Sequence, residues 1–461
     1  MLTGLRGRLE VADRRNLIRV MPAKGAEMSS SARTDVLVVG GGVIGLSIAW
    51  RAAQRGMRVT VADPAPGSGA SHAAAGMITP ISEAAYAERE LFRLGRESQR
   101  RYPAFAAELS GLTRGPTGYR QTGTLQVAFD ADDLAVLAEY QAVQESFGVP
   151  ARRLTSRECR AAEPMLDPSV RGGLLAADDA SVDPRLLTTA LLAAAVLAGA
   201  EMIRQPAAEI LGADAGRAAG ALLGDGTRIL ATWVVLAAGW NSGSMAGLPA
   251  GAVPPVRPVK GQILRLMSRP PAGRRDGHGA SGHDAAGHSF GPDGPPGLLA
   301  RSVRGIVRGS SVYLVPRESG ELVIGATQEE LGTDTRVTAG GVWELLRDAR
   351  TIVPGITELE LTEAVAGLRP GTPDNAPVLG QSALPGLVLA TGHFRAGVLL
   401  APVTADVITE YLATRRMPDL AAPFTPQRFS RAGRPPAPAR RPVSQAPRAG
   451  RQRKTEDGVR P

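Results

Sequence analysis

The stretch "RTDVLVVGGGVIGLSIAWRAAQRGMRVTVAD", residues 33–63, decides the fold. Val36 to Val39 form a β-rich apolar run. Glycines interrupt it, and an apolar helical stretch follows to about Gln54, with Gly56 as its stop. A second short run, Val59 to Ala62, ends in Asp63. Strand, helix and strand make a βαβ unit. Gly40, Gly42 and Gly45 form G-x-G-x-x-G where the first strand meets the helix. The first permits a tight turn, the second lets the backbone approach a pyrophosphate, and the third allows close helix–strand packing. The helix start offers free N–H groups and a positive dipole end to phosphates. Asp63 stands 18 residues beyond Gly45, where an acid can bond ribose hydroxyls. A tight turn alone has no need of that acid, so the stretch predicts a dinucleotide site.

The chain around it has 461 residues, 43% hydrophobic and 21% charged, which fits a globular protein of one large or two medium domains. No uninterrupted apolar run is long enough to predict a membrane span, and the N-terminus lacks the apolar core of a secretory signal. The single cysteine, Cys159, excludes an intramolecular disulfide and a cysteine-rich metal site. A cytoplasmic location is the simplest reading. The net charge of +9 is concentrated at the ends: residues 1–27 carry +3 and residues 425–461 carry +8, leaving a body near −2. Arginine outnumbers lysine 50 to 3, as in a solvated tail from a high-GC coding sequence. Neither end has apolar periodicity, so 1–32 and 425–461 read as disordered and basic. Met28 is an alternative start to Met1.

Helical patterns cover about 84–110 and 131–147, and strands are expected at 119–129, 257–267, 311–316 and 321–326. In "SVDPRLLTTALLAAAVLAGAE", Asp183 is placed as N-cap and Pro184 in the first turn. Residues 228–243 give a buried strand ending in glycine, and 386–412 repeat the strand–glycine–helix pattern. Residues 270–300 are rich in Gly, Pro and His and lose all periodicity, which predicts a flexible insertion over 270–307. His278, His283 and His288 lie there, spaced five apart, on neither a helix face nor a strand face, so no metal site is assigned. The interleaving predicts two intertwined domains in an α/β fold. A Rossmann-like FAD-binding domain would take 33–90, 150–252 and 362–424. A substrate domain on a mainly antiparallel sheet would take 91–149 and 253–361. FAD fits better than NAD. The small residues of "SGASHAAAGMITP" (68–80) can run beneath a bulky ring, and the late helix start after "ATGHFRAG" can stabilise negative charge on it.

With "VVGGGVIG", "AAAGM", "EPML" with "SVDP", "AAGWNSG", "PVKGQ", "VYLVPRESGELVIGAT", "AGLRPGTPDNAPVLG" and "ATGHFRAGVLLAP" in this order, the sequence resembles the FAD-dependent D-amino-acid oxidase superfamily. Within it, the likeness is to glycine oxidases of the thiamine-biosynthesis type. That resemblance implies that Arg369 clamps a substrate carboxylate, with Tyr313 and Arg395 as further catalytic-site residues. Arginine's planar, permanently charged fork suits a carboxylate. The resemblance also implies flavin contacts from Val43, Ile44, Pro64, Ala70 and Ser71, and from Ala75, Gly76 and Met77. Ala207, Gly239, and the run His393, Phe394, Arg395, Ala396, Gly397, Val398 and Leu399 complete the set. Monomeric sarcosine oxidases tether FAD through a late cysteine; Cys159 lies far upstream in a helical segment, so FAD is expected to be non-covalent.

The chemistry implied is oxidation of glycine, other small amines or D-amino acids to the imine. Oxygen would be reduced to hydrogen peroxide, and the imine would yield glyoxylate and ammonia or enter thiamine thiazole synthesis. Catalysis would rest on orientation and flavin electronics. Within the fold, a D-amino-acid dehydrogenase delivering electrons to a quinone is the alternative. An RNA-modifying FAD oxidoreductase is another, supported only by the basic tail. A flavin-binding subunit without a pocket would not need both Arg369 and Tyr313. A homo-oligomer is implied, with no nucleic-acid or membrane partner expected.

Overall fold

The computed structural model describes residues 32–149, 152–268, 297–307 and 309–430. Two eight-stranded sheets organise them. In the first, Leu387–Thr391, Arg228–Leu236, Ala32–Val39, Val59–Ala62 and Glu201–Ile203 run parallel in that order. Val378–Gln381 adds an antiparallel edge, and Gly220–Leu223 and Ala207–Leu211 form an antiparallel offshoot. Parallel strands are covered on both faces. Val36 and Val38 point to one buried cluster, Leu37 and Val39 to another on the opposite side.

The helices Val43–Gln54, Arg89–Thr113, Pro184–Leu197 and Gly397–Thr414 cover the first of those faces. Trp50 and Phe105 meet edge to face at 5.3 Å in their shared core. The segment Phe394–Thr414 is long and apolar enough to cross a membrane by composition, yet 72% of its apolar window is buried inside the protein, as expected of a core helix. Asp183 caps its helix as the sequence predicts, accepting from the N–H groups of Arg185 and Leu186.

The second sheet has the order Glu360–Gly371, Arg257–Met267, Glu321–Gly325, Ser310–Pro316, Ser302–Val307, Thr124–Ala128, Gly172–Ala176 and Arg152–Thr155. All its pairs are antiparallel except Ser302–Val307 with Thr124–Ala128. The α/β class, with a Rossmann-like sheet interleaved with a mainly antiparallel one, is the class read from the sequence.

Several boundaries differ from the expected ones. The strands Arg152–Thr155, Gly172–Ala176 and Glu360–Gly371 belong to the second sheet, although 150–252 and from 362 onward read as cofactor domain. Long-range pairing decided this, and local periodicity carries no trace of it. Ser302–Val307 is an inner strand, so 297–307 is no part of a structureless insertion. The remaining insertion, with its three histidines, lies outside the described residues. So do residues 1–31, including Met28, and 431–461. The expected disordered tail begins too early, because Pro426–Phe429 forms a helical turn and Arg428 Nε bonds Asp374 at 2.8 Å.

Candidate active site

A cavity of about 2120 Å³ runs along the seam between the two sheets. That exceeds the roughly 300–1,000 Å³ of an ordinary small-molecule pocket and suits a dinucleotide with a substrate beside it. One end is the glycine turn. Gly40 has φ +105°, and a Cβ there would come within 2.5 Å of the Ala237 carbonyl oxygen. Gly42 opens the helix as N-cap, without a side chain to obstruct the amides behind it. Gly45 does not line the cavity; its Cα faces the Gly40 backbone so closely that any side chain would collide. Asp63 Oδ2 accepts from the Gly41 N–H at 2.6 Å and Oδ1 from the Ala65 N–H at 2.7 Å. Its carboxylate thus holds the turn and keeps lone pairs for a further donor. Ser71 Oγ accepts from the Val43 N–H at 3.0 Å, fixing the 68–73 segment over the helix start.

The middle of the cavity is lined by Ala73, Ala74, Ala75, Gly76 and Met77. Arg317, nearly fully buried, donates to the carbonyls of Val182 (3.0 Å) and Ala75, pinning this segment to the second sheet. Across from it the chain turns through Gly392 (φ +72°) and Phe394 (φ +48°), and His393 to Leu399 face the cavity. His393 is buried against Thr404, Nε2 to Oγ1 3.1 Å, and burial drives its imidazole down to about 3, so it is neutral. A flat ring system fits this slot: the walls are small, glycines clear the backbone, and the start of the long helix Gly397–Thr414 supplies a positive pole. The residues present therefore fit FAD.

The other end is built on the second sheet. Arg369 lies on the strand Glu360–Gly371, not on the loop its glycines and prolines suggest. Gly261 and Gly367 pair across strands, two positions from the Val259–Arg369 pair. A Cβ at Gly261 would collide with the Arg369 guanidinium, and one at Gly325 would collide with the Tyr313 hydroxyl. Glycines on facing strands thus make the room in which both functional side chains lie. Arg369 Nη1 donates to the carbonyls of Thr327 (3.2 Å) and Lys260 (3.4 Å). Among the described residues, no carboxylate lies within the 4.0 Å ion-pair limit of Arg369. Burial pushes the Tyr313 phenol up, and the neighbouring Arg369 charge only partly opposes this. Tyr313 is a neutral hydroxyl beside an unneutralised cation.

Among the described residues three other guanidiniums line the cavity, and each is paired with an acid; Arg257 Nε meets Glu330 Oε1 at 3.3 Å. Arg304 Nη1 bonds Glu83 Oε1 at 2.8 Å. Arg395 reaches Glu83 Oε2 at 3.5 Å and Glu88 Oε2 at 3.4 Å, and its side chain is 45% exposed. Arg395 therefore stands at the cavity mouth, tied to two acids. Burial works to raise the Glu83 carboxyl, but Arg304 and Arg395, with Arg369 farther off, outweigh it and hold it below its ordinary value. The loop carrying Glu83 is itself held from below: Asp179 accepts from the N–H groups of Ile81 and Ser82, each at 3.3 Å.

Every site residue expected from the sequence lines this cavity except Gly45. That includes Gly40, Gly42, Val43, Ile44, Asp63, Pro64, Ala70, Ser71, Ala207 and Gly239 at the dinucleotide end. Glu83, Arg304 and Arg317 were not singled out. Glu83 stands just before the helical pattern at about 84–110, and Arg304 sits in the segment read as insertion. Glu83 and Arg304 are 221 residues apart, a pairing no local pattern carries.

The family described as FAD dependent oxidoreductase matches residues 35–411. A bifunctional protein ThiO/ThiG of Synechocystis is 32% identical over 89% of this chain and 56% of its own length. The chain spans about half the length of the curated relatives of this kind that it matches. The structure of glycine oxidase from Geobacillus kaustophilus superposes with a TM-score of 0.73 at 31% identity, covering 86% of this chain and 98% of that one. Iminodiacetate oxidase from Chelativorans is similar at TM-score 0.71 and 26% identity, covering 85% and 98%.

Proposed function

The chain belongs to the FAD dependent oxidoreductase family, and on that premise we propose that it oxidises glycine and other small amines or D-amino acids to their imines. Arg369 carries this reading. It is an unneutralised guanidinium at the far end of a dinucleotide-sized cavity, with a hydroxyl beside it and glycines cleared around it. Such a group binds a carboxylate through charge-assisted bonds, with Tyr313 adding a hydrogen bond to the same anion.

Gly40, Gly42 and Asp63 would hold the dinucleotide end of FAD, and the 73–77 and 393–399 segments would hold its ring. When bound, FAD supplies the two-electron acceptor for the amine's α-C–H bond. The chain's own contribution is orientation: Arg369 fixes the carboxylate and so the α-carbon. Ile263, Met77 and the nearby alanines give that end apolar walls. In the net reaction, oxygen is reduced to hydrogen peroxide, and the imine gives glyoxylate and ammonia or feeds thiamine thiazole synthesis. The buried thiol of Cys159 suits the cytoplasm, and FAD is held without a covalent bond in a homo-oligomer.

Peroxide formation over glycine, sarcosine, D-alanine and D-proline tests this. Glycine or sarcosine should give peroxide with matching oxygen uptake. Rapid dye reduction with little oxygen uptake would instead favour a dehydrogenase.

A further inference from the structure

Four guanidiniums line the cavity, Arg257, Arg304, Arg369 and Arg395, and among the described residues only Arg369 lacks a carboxylate partner. The register shows why they meet. Arg304 pairs with Tyr313, and Tyr313 with Gly325, so the three stand in one rank across the sheet. Arg369, on the neighbouring edge strand, enters the space above Gly261 on the same face. Glu83 comes from the other half of the molecule and places one oxygen on Arg304 (2.8 Å) and the other toward Arg395 (3.5 Å). Arg304 and Glu83 are both largely shielded, with side chains 17% and 21% exposed. Their attraction is therefore weakly screened, and the ion pair closes the position beside Tyr313.

We propose that Glu83 is a specificity-determining residue: it occupies Arg304 and Arg395, leaves Arg369 as the one lining cation without a carboxylate among the described residues, and so restricts the pocket to ligands with one carboxylate. This rests on the reading of Arg369 as the carboxylate anchor. A ligand with a second anionic group would have to meet Glu83's own charge before reaching Arg304. Like-charge juxtaposition of that kind excludes a competitor without improving the favoured ligand. Because Arg304, Arg395 and Arg369 hold the Glu83 carboxyl below its ordinary value, the barrier persists through the neutral range. Replacing the carboxylate by its amide would leave Arg304 unneutralised and create a second anion anchor in the same cavity.

The test uses the FAD-loaded protein and two non-reacting probes, acetate and malonate, read by the change each makes in the flavin's visible absorption. Wild-type protein should bind malonate no more tightly than acetate. In Glu83→Gln the malonate dissociation constant should fall at least about tenfold, while that for acetate moves less than about threefold. Adding Arg304→Gln should remove the gain. The proposal is overturned by a malonate-to-acetate ratio unchanged in Glu83→Gln, by a gain that survives in Glu83→Gln/Arg304→Gln, or by wild-type protein that already prefers malonate tenfold. Peroxide formation from glycine by the wild-type protein tests the underlying reading separately, because the ratio is read from binding alone.

Discussion

The Arg369 guanidinium occupies the space that a side chain at Gly261 would fill. The two residues lie on neighbouring strands, where Gly261 faces Gly367 and Arg369 lies two positions farther along. The site is thus made by an absence on one strand and a charge on the next.

Gly261→Ala should displace the guanidinium, because the added methyl group would collide with its end. The apparent Michaelis constant for glycine should rise about tenfold, with flavin content unchanged. A wild-type constant in this variant would show that the clearance is not needed.

Stability should depend on pH through Asp179. Burial, aided by the nearby Glu83 charge, pushes its carboxyl up from 3.8 to about 7, against the bonds from Ser82 and Ile81. Between those values the folded protein binds more protons than the unfolded chain, so this group's contribution to stability falls as pH rises and is level above about 7. The melting temperature of Asp179→Asn should therefore gain on wild type from about pH 5 to about pH 7. Parallel melting curves across that range would contradict the assignment.

Acid precipitation should release the flavin into solution. Cys159 is fully buried in the core of the second sheet, its sulfur against Gly173, and burial raises its thiol to about 11. It does not line the cavity. Flavin that stays in the pellet would require a covalent bond elsewhere in the chain.

What was legible in the sequence was local. Val36 to Asp63 announced its strand, turn and helix because period, glycine spacing and acid lie within one short segment. Arg257–Met267 read correctly as a strand for the same reason. Arg369 was legible as a functional residue but not as a strand residue, since "GLRPG" resembles a turn until the pairing with Arg257–Met267 is known. Glu83 was hidden because its meaning depends on Arg304 and Arg395, which only folding brings to it. Gly261 was hidden because clearance for a side chain is a property of register, not of the glycine.

The central claim is that Arg369 is the carboxylate anchor. It is tested most directly by the apparent Michaelis constant for glycine in Arg369→Ala, measured together with flavin content. Loss of charge-assisted bonds to a carboxylate should cost about 2–4 kcal/mol, a rise of roughly 30- to 800-fold, with FAD still bound at wild-type stoichiometry. A constant equal to that of the wild-type protein would contradict the account.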